Sequence, residues 1–126
     1  MATRRILLID DEPSIRLMVQ VALKVTTSWE TLIVESYQAG VALAETEQPD
    51  AILLNVMMPE MDDIIASQEI QTNPIIRHIP IILLMTRSQA NERERFSHLV
   101  IAGIITKPFR VSELARQMRS ILGWYD

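Results

Sequence analysis

Five polar side chains, each placed where an apolar run ends, are the residues of this sequence that could do chemistry. Asp10 and Asp11 follow one such run, and Asn55, Thr86 and Lys107 each end another. Two neighbouring carboxylates suit a hard divalent cation such as Mg²⁺, which prefers oxygen ligands and keeps several waters. A lysine binds an oxyanion as a point charge, and a threonine hydroxyl can hydrogen-bond to it. The set therefore predicts a site for a cation and an anion, provided that the fold brings the five side chains together.

The elements that must position these side chains alternate between strand and helix five times. Continuous apolar runs are typical of buried parallel strands, and apolar residues at helical spacing indicate helices. The alternation predicts an α/β fold with a flavodoxin-like, doubly wound parallel sheet in the order 2-1-3-4-5 and five helices. All the carboxyl ends of such strands share one edge of the sheet. The predicted strands are 5–9, 31–34, 51–55, 79–86 and 101–106. The first predicted helix starts at Pro13, and the other four cover about 41–44, 64–70, 89–99 and 111–122. Ser112 is a candidate N-cap of the last helix, and Gly123 is its expected stop.

The composition excludes several classes of protein. The chain has 126 residues, enough for one domain with one core. It has no cysteine, which excludes disulfides and thiolate metal sites. No apolar run approaches the ~20 residues of a membrane span, and the N-terminus has no signal-peptide pattern. We therefore expect a cytoplasmic protein without a membrane partner.

The net charge of −4 is unevenly spread along the chain. Residues 1–63 hold eleven acidic and four basic side chains, whereas residues 64–126 hold five acidic and eight basic ones. This asymmetry is either ordinary surface variation or the sign of an acidic pocket and a basic surface that binds a partner protein. The dense basic clustering of a nucleic-acid binder is missing, so no nucleic-acid partner is expected. The candidate basic surface contains Arg93, Arg95, Arg110, Arg116 and Arg119.

Four segments of the chain resemble the receiver domain of bacterial two-component response regulators. They read ILLIDDEP at 6–13, PDAILLNVMMPEMD at 49–62, HIPIILLMT at 78–86 and AGIITKPF at 102–109. The resemblance covers essentially the whole chain and implies one CheY-like receiver domain over residues 1–126, similar to small stand-alone receivers. It further implies a signalling rather than an enzymatic role in a phosphorelay. The implied partners are a sensor histidine kinase or another signalling protein, and a second copy bound through the fourth helix, fifth strand and fifth helix.

The resemblance also implies a role for each site residue. Asp10 and Asp11 match the acidic pair that holds Mg²⁺ in receivers, and the backbone carbonyl of Met57 matches the remaining protein ligand of the metal. Asn55 occupies the position of the phosphate-accepting aspartate.

Three further positions match the phosphoryl pocket and the switch of receivers. Thr86 matches the hydroxyl that meets the phosphoryl group, and Lys107 matches the lysine that binds it. The bond from Lys107 to Pro108 is usually cis in the family. Ile104 stands at the switch position, where receivers usually have an aromatic residue.

Asn55 is the departure from the family that decides the function. A carboxylate can attack a phosphohistidine, whereas a neutral carboxamide is a poor nucleophile. The formal charge of Asp10, Asp11 and Lys107 is −1, where an aspartate at position 55 would make it −2, so Mg²⁺ binding is expected to be weak or absent. Two explanations remain open: an ordinary phosphorylatable receiver with an engineered Asp-to-Asn change, and a natural pseudo-receiver that signals without phosphorylation.

Other departures favour natural divergence. Glu60, Asp63 and Val100 stand where the family often has glycine, and Ile104 replaces the switch aromatic. Arg87 follows Thr86, where receivers have a small residue. The Arg87 side chain either pairs with Asp10 or Asp11 in place of a metal ion or points to solvent.

Two other classes of function were weighed against the receiver interpretation. An aspartyl phosphatase-like hydrolase would use Asp10 as nucleophile with a second aspartate two residues on, but Glu12 stands there. A flavin or nucleotide site would need a glycine-rich loop after the first strand, and the chain has three glycines and no such loop.

Overall fold

The computed structural model describes residues 3–56, 63–90 and 100–125, with the backbone alone over 63–67 and at 89. Within these residues the strands form one five-stranded sheet in the order β2-β1-β3-β4-β5, and all of its pairings are parallel. This confirms the predicted flavodoxin-like fold. The elements are β1 (Arg5–Ile9), α1 (Pro13–Thr26), β2 (Glu30–Val34), α2 (Tyr37–Glu47), β3 (Ala51–Asn55), α3 (Asp63–Thr72), β4 (Ile81–Thr86), α4 (Arg87–Ala90), β5 (Gly103–Lys107) and α5 (Leu114–Leu122).

Two hydrophobic cores lie on the two faces of the sheet, because successive strand side chains point to opposite sides. Continuous apolar runs are therefore needed wherever both faces are covered by helices. One core joins Leu7, Ile9, Ile52, Leu54, Leu83 and Met85 to residues of α2 and α3. The other joins Ile6, Leu8, Leu53, Ile82, Leu84 and Ile105 to residues of α1 and α5.

Helix α2 is longer than the sequence predicted, because its start has a cap that the apolar spacing does not reveal. The Ser36 side chain accepts a hydrogen bond from the backbone N–H of Ala39 and begins the helix at Tyr37. Gly40 lets this helix pack closely on β1, since a Cβ there would lie 2.5 Å from Cδ1 of Ile9. Local capping and a close packing contact thus extend the helix beyond the predicted residues.

The structure confirms the predicted end of α5 but not its predicted start. Gly123 adopts the left-handed conformation, with φ of 69°, and ends the helix as predicted. The helix begins at Leu114, after a turn over residues 111–113, so Ser112 is not its N-cap. Val111 is exposed and does not belong to the buried face.

The predicted fourth helix lies mostly outside the described residues, which contain its first turn, Arg87–Ala90. None of the helices in the described ranges is long and apolar enough to cross a membrane.

Candidate active site

Three strand ends converge on the side chain of Asn55. Asp10 directly follows β1, Asn55 is the last residue of β3, and Lys107 is the last residue of β5. The Nδ2 of Asn55 donates to Oδ1 of Asp10 across 2.7 Å, and the Nζ of Lys107 donates to Oδ1 of Asn55 across 2.6 Å. Asp10 and Asn55 are both fully buried. The structure thus brings together three of the predicted site residues in one chain of hydrogen bonds.

The chemistry of its two neighbours fixes the orientation of the Asn55 amide. The ammonium of Lys107 can only donate, so the amide oxygen must face it. The ionised carboxylate of Asp10 can only accept, so the amide nitrogen must face Asp10. A flipped amide would set donor against donor and acceptor against acceptor. Asn55 is therefore a neutral bridge between an anion and a cation.

The environment of Asp10 is unfavourable for its charge. Burial raises the pKa of this carboxyl, although the hydrogen bonds from Asn55 and from the backbone N–H of Glu12 act in the opposite direction. Oδ1 accepts both of these bonds. Oδ2 is buried and has no hydrogen-bond partner among the described residues.

Thr86 and Lys107 lie side by side at the ends of β4 and β5, where they are register partners. Both are half-buried, and the peptide bond from Lys107 to Pro108 is cis. Ile104 is half-buried and packs against the core on the α2 and α3 side of the sheet. A mostly apolar groove of about 280 Å³ opens beside the two polar residues, lined by Glu12, Ile15, Met18, Thr86, Lys107, Pro108 and Phe109.

Only part of a magnesium site is compatible with these side chains. The partnerless Oδ2 of Asp10 and the half-buried Asp11 could each offer an oxygen. Residue 55, however, presents an N–H group towards Asp10 instead of an oxygen. Met57 lies outside the described residues, and these contain no cluster of three or more acidic or histidine side chains that could hold a metal ion. Residue 55 therefore does not fit as a ligand of a divalent cation.

Arg87 does not replace the metal ion. Its side chain is exposed at the start of α4, and no ion pair joins it to Asp10 or Asp11 within the described part of the chain. Both hydrogen bonds of the Asp10 carboxylate are to other groups. The hypothesis that Arg87 pairs with Asp10 or Asp11 is wrong, and the solvent-facing alternative agrees with the structure.

An exposed apolar stripe on α1 was missed by the sequence analysis. Leu17, Val21 and Val25 are 61%, 43% and 70% exposed and follow one another at a spacing of four residues. Met18, at 36% exposure, connects this stripe to the groove beside Lys107. The signal was present in the sequence, because α1 has more apolar residues than one buried face requires.

Two tryptophans, which follow α1 and α5 in the chain, stack with two arginines. The rings of Trp29 and Trp124 meet edge to face at 5.3 Å. The guanidinium of Arg4 lies 4.3 Å from the ring centre of Trp124, and that of Arg119 lies 5.0 Å from the ring centre of Trp29. Arg119 therefore contacts Trp29 within the fold, which the prediction of a basic docking surface did not anticipate.

Comparisons with known proteins place this geometry in a family. The family model of the response regulator receiver domain matches residues 6–119. The phosphate regulon transcriptional regulatory protein PhoB of Pseudomonas aeruginosa is 31% identical over 122 residues, which are 97% of this chain and 53% of that protein. The chain thus spans about half the length of the relatives it matches.

Solved structures agree with this assignment. A putative response regulator from Chloroflexus aurantiacus has the same fold, with a TM-score of 0.86 at 20% identity over 98% of this chain and 100% of that one. The receiver domain of the sensor histidine kinase PA1611 from Pseudomonas aeruginosa PAO1 has a TM-score of 0.83 at 28% identity, with 98% and 100% of the two chains covered, and holds a magnesium ion in its active-site cleft. The chain belongs to the response regulator receiver domain family of two-component signalling.

Proposed function

We propose that residues 1–126 act as a receiver in phosphorelay signalling whose residue 55 takes up no phosphoryl group. The observation that carries this proposal is the buried Asn55 amide between Asp10 and Lys107. In this account Asn55 is a structural residue at the phosphoacceptor position. The domain then signals through contacts with other proteins in a state that phosphodonors do not change.

Chemistry supports the loss of phosphoryl transfer. An acceptor residue must offer an oxygen that carries negative charge and can attack phosphorus. The Asn55 oxygen belongs to a neutral amide and accepts a hydrogen bond from Lys107. The remaining pocket residues, Thr86, Lys107, Asp10 and Asp11, are of the types that could bind a phosphoryl group and Mg²⁺. We propose that Mg²⁺ binds weakly there, because residue 55 offers no suitably placed oxygen.

Intact mass spectrometry after incubation with acetyl phosphate and MgCl₂ tests the proposal. We expect no mass gain for this chain. A gain of one phosphoryl group that maps to the pocket would overturn the proposal. Asn55→Asp separates the two explanations for Asn55: a gain on this variant means that one change alone silences an otherwise competent site, whereas no gain means that the pocket has diverged further.

A hydrolase with Asp10 as nucleophile is the alternative from another class. The geometry supports it poorly, because Oδ1 of Asp10 already accepts two hydrogen bonds and Oδ2 is buried. We therefore propose that the chain is not an enzyme. Turnover of p-nitrophenyl phosphate that is lost in Asp10→Asn would contradict this.

The partner that we propose is a sensor histidine kinase or another protein of the same pathway. The exposed stripe of Leu17, Val21 and Val25 supports a protein partner, since contiguous exposed apolar surface often marks such contacts. Binding to purified kinase domains should be weakened by Val21→Glu and left intact by Gln20→Glu, which adds the same charge at the neighbouring exposed position.

We also propose a homodimer through α4, β5 and α5. The Arg116 side chain on α5 is 75% exposed and lies 3.6 Å from Glu113 of the same chain, so a second copy could reach it from solvent. Sedimentation equilibrium should show a monomer–dimer equilibrium that Arg116→Glu shifts towards monomer. A monomer at every concentration would contradict this proposal.

A further inference from the structure

We infer that the Asn55 amide replaces the bound cation as the group that holds this pocket together, so that the conformation of the domain does not depend on Mg²⁺. This inference rests on the proposed function, in which Asn55 is structural. The inference also concerns regulation. An acidic receiver pocket would respond to the concentration of divalent metal ions, whereas the conformation of this domain does not.

An aspartate at position 55 would face the carboxylate of Asp10 in a buried place. The Asn55 nitrogen lies 2.7 Å from Oδ1 of Asp10, in a place where both side chains are fully buried. A carboxylate oxygen at that distance would set two acceptors of like charge against each other, and burial weakens solvent screening of their repulsion. Only a cation or a proton between them would relieve it. The amide provides the missing N–H group within the chain itself.

The Asn55 amide connects residues at the ends of three strands. Asp10 follows β1, Asn55 ends β3 and Lys107 ends β5. In the sheet β4 lies between β3 and β5, so the Lys107 side chain reaches past the end of β4 to Asn55. The hydrogen bonds of the amide therefore connect the edge strand β5 to the central strands at the very end where the polar residues meet.

Binding of a metal ion by residue 55 would cost the hydrogen bonds of its amide. Residue 55 could turn its oxygen towards a cation only by turning its nitrogen towards the Lys107 ammonium, donor against donor. A cation would thus gain one neutral ligand and break both hydrogen bonds of the amide. The fit of a divalent cation at this position is therefore poor, and the pocket is already held without one.

Thermal unfolding of four proteins, each in EDTA and in millimolar MgCl₂, tests the inference. They are this chain, Asn55→Asp, the exchange variant Asp10→Asn/Asn55→Asp, and Glu69→Gln as a control that removes an exposed carboxylate of α3, outside the pocket. We expect the melting temperature of this chain to be the same in both buffers. Asn55→Asp should melt lower in EDTA, by on the order of 5 °C, and should recover in MgCl₂.

The exchange variant decides whether the pairing of amide with carboxylate is responsible. It has the same net charge as this chain and again places one amide beside one carboxylate, so it should recover most of the lost stability in EDTA. It also keeps the inference testable if Asn55→Asp alone does not fold. Glu69→Gln should leave the response to MgCl₂ unchanged, because its carboxylate is not part of the pocket.

Three results would overturn the inference: stabilisation of this chain by MgCl₂ as large as that of Asn55→Asp, an Asn55→Asp variant as stable as this chain in EDTA, or an exchange variant that recovers nothing. These results are distinct from failure of the proposed function, which is a mass gain with acetyl phosphate. A chain that gains no phosphoryl group but is stabilised by MgCl₂ would leave the proposed function standing and remove the inference.

Discussion

The side-chain amide of Asn55 donates a 2.7 Å hydrogen bond to the carboxylate of Asp10, and neither residue is exposed to solvent. In the proposed function Asn55 is a structural residue at the position expected for the phosphate acceptor. Its partner on the other side, Lys107, completes a chain that ends in a positive charge.

Lys107→Met should destabilise the fold because it leaves the buried oxygen of Asn55 without this donor. An unsatisfied buried acceptor costs about 1–3 kcal/mol in free energy of unfolding. Lys24, the other lysine of the chain, is exposed on α1, so Lys24→Met should change the stability by less than about 0.5 kcal/mol. Urea unfolding followed by circular dichroism measures both. Equal effects of the two variants would contradict the proposed role of Lys107.

Because of Asp10, the free energy of unfolding of the domain should fall as the pH rises from acidic values. Burial raises the pKa of the folded Asp10 carboxyl above its ordinary value of 3.8. The folded state therefore holds this proton to a higher pH than the unfolded state does. The resulting stabilisation is complete below 3.8 and is lost as the pH rises through the raised folded pKa.

Asp10→Asn should remove this part of the pH dependence. At neutral pH the variant should be more stable than the parent, because burial disfavours the charged carboxylate that it removes. The difference should shrink as the pH is lowered towards 3.8, since the parent then becomes neutral as well. Urea unfolding over a pH series checks this. Asp11→Asn should keep the fall in stability because Asp10 is still present, and a constant advantage of Asp10→Asn at every pH would rule out titration of Asp10 as the cause.

Trp124→Ala should destabilise the domain because it disrupts the stack of tryptophans and arginines. The variant removes the edge-to-face contact with Trp29 and the ring under Arg4. Trp124 is only half-buried, so we expect a loss of about 1–3 kcal/mol, less than for a ring in the core. The neighbouring Tyr125 is fully exposed, and Tyr125→Ala is the matched control. Similar unfolding midpoints for the two variants would mean that the stack contributes no stability.

The strands and their order could be predicted from the sequence because each strand carries its own signal. β1 and β3 have the predicted ends, since an apolar run stops at a polar residue in both cases. The convergence of Asp10, Asn55 and Lys107 then follows from the topology, because parallel strands end at a common edge.

The partners of the Asn55 amide could not be predicted in the same way. Asn55 lies 45 residues from Asp10 and 52 from Lys107, and the orientation of its amide depends on both at once. The orientation of the Arg87 side chain could not be predicted either, because a long side chain beside a pocket can point into the pocket or towards solvent. The Ser36 cap and the exposed stripe through Val21 are both local features of the sequence. The apolar pattern alone, however, does not reveal the cap and does not distinguish the exposed apolar residues from buried ones.

NMR observation of the Asn55 side-chain amide during titration with MgCl₂ tests the central claim most directly. The resonances are assigned by comparison with Asn55→Asp. We predict that both N–H signals are protected from exchange with water and keep their positions at millimolar MgCl₂, whereas Lys107→Met shifts them. Rapid exchange of these protons, or a saturable shift at low MgCl₂, would contradict the claim that Asn55 is an internal bridge between Asp10 and Lys107.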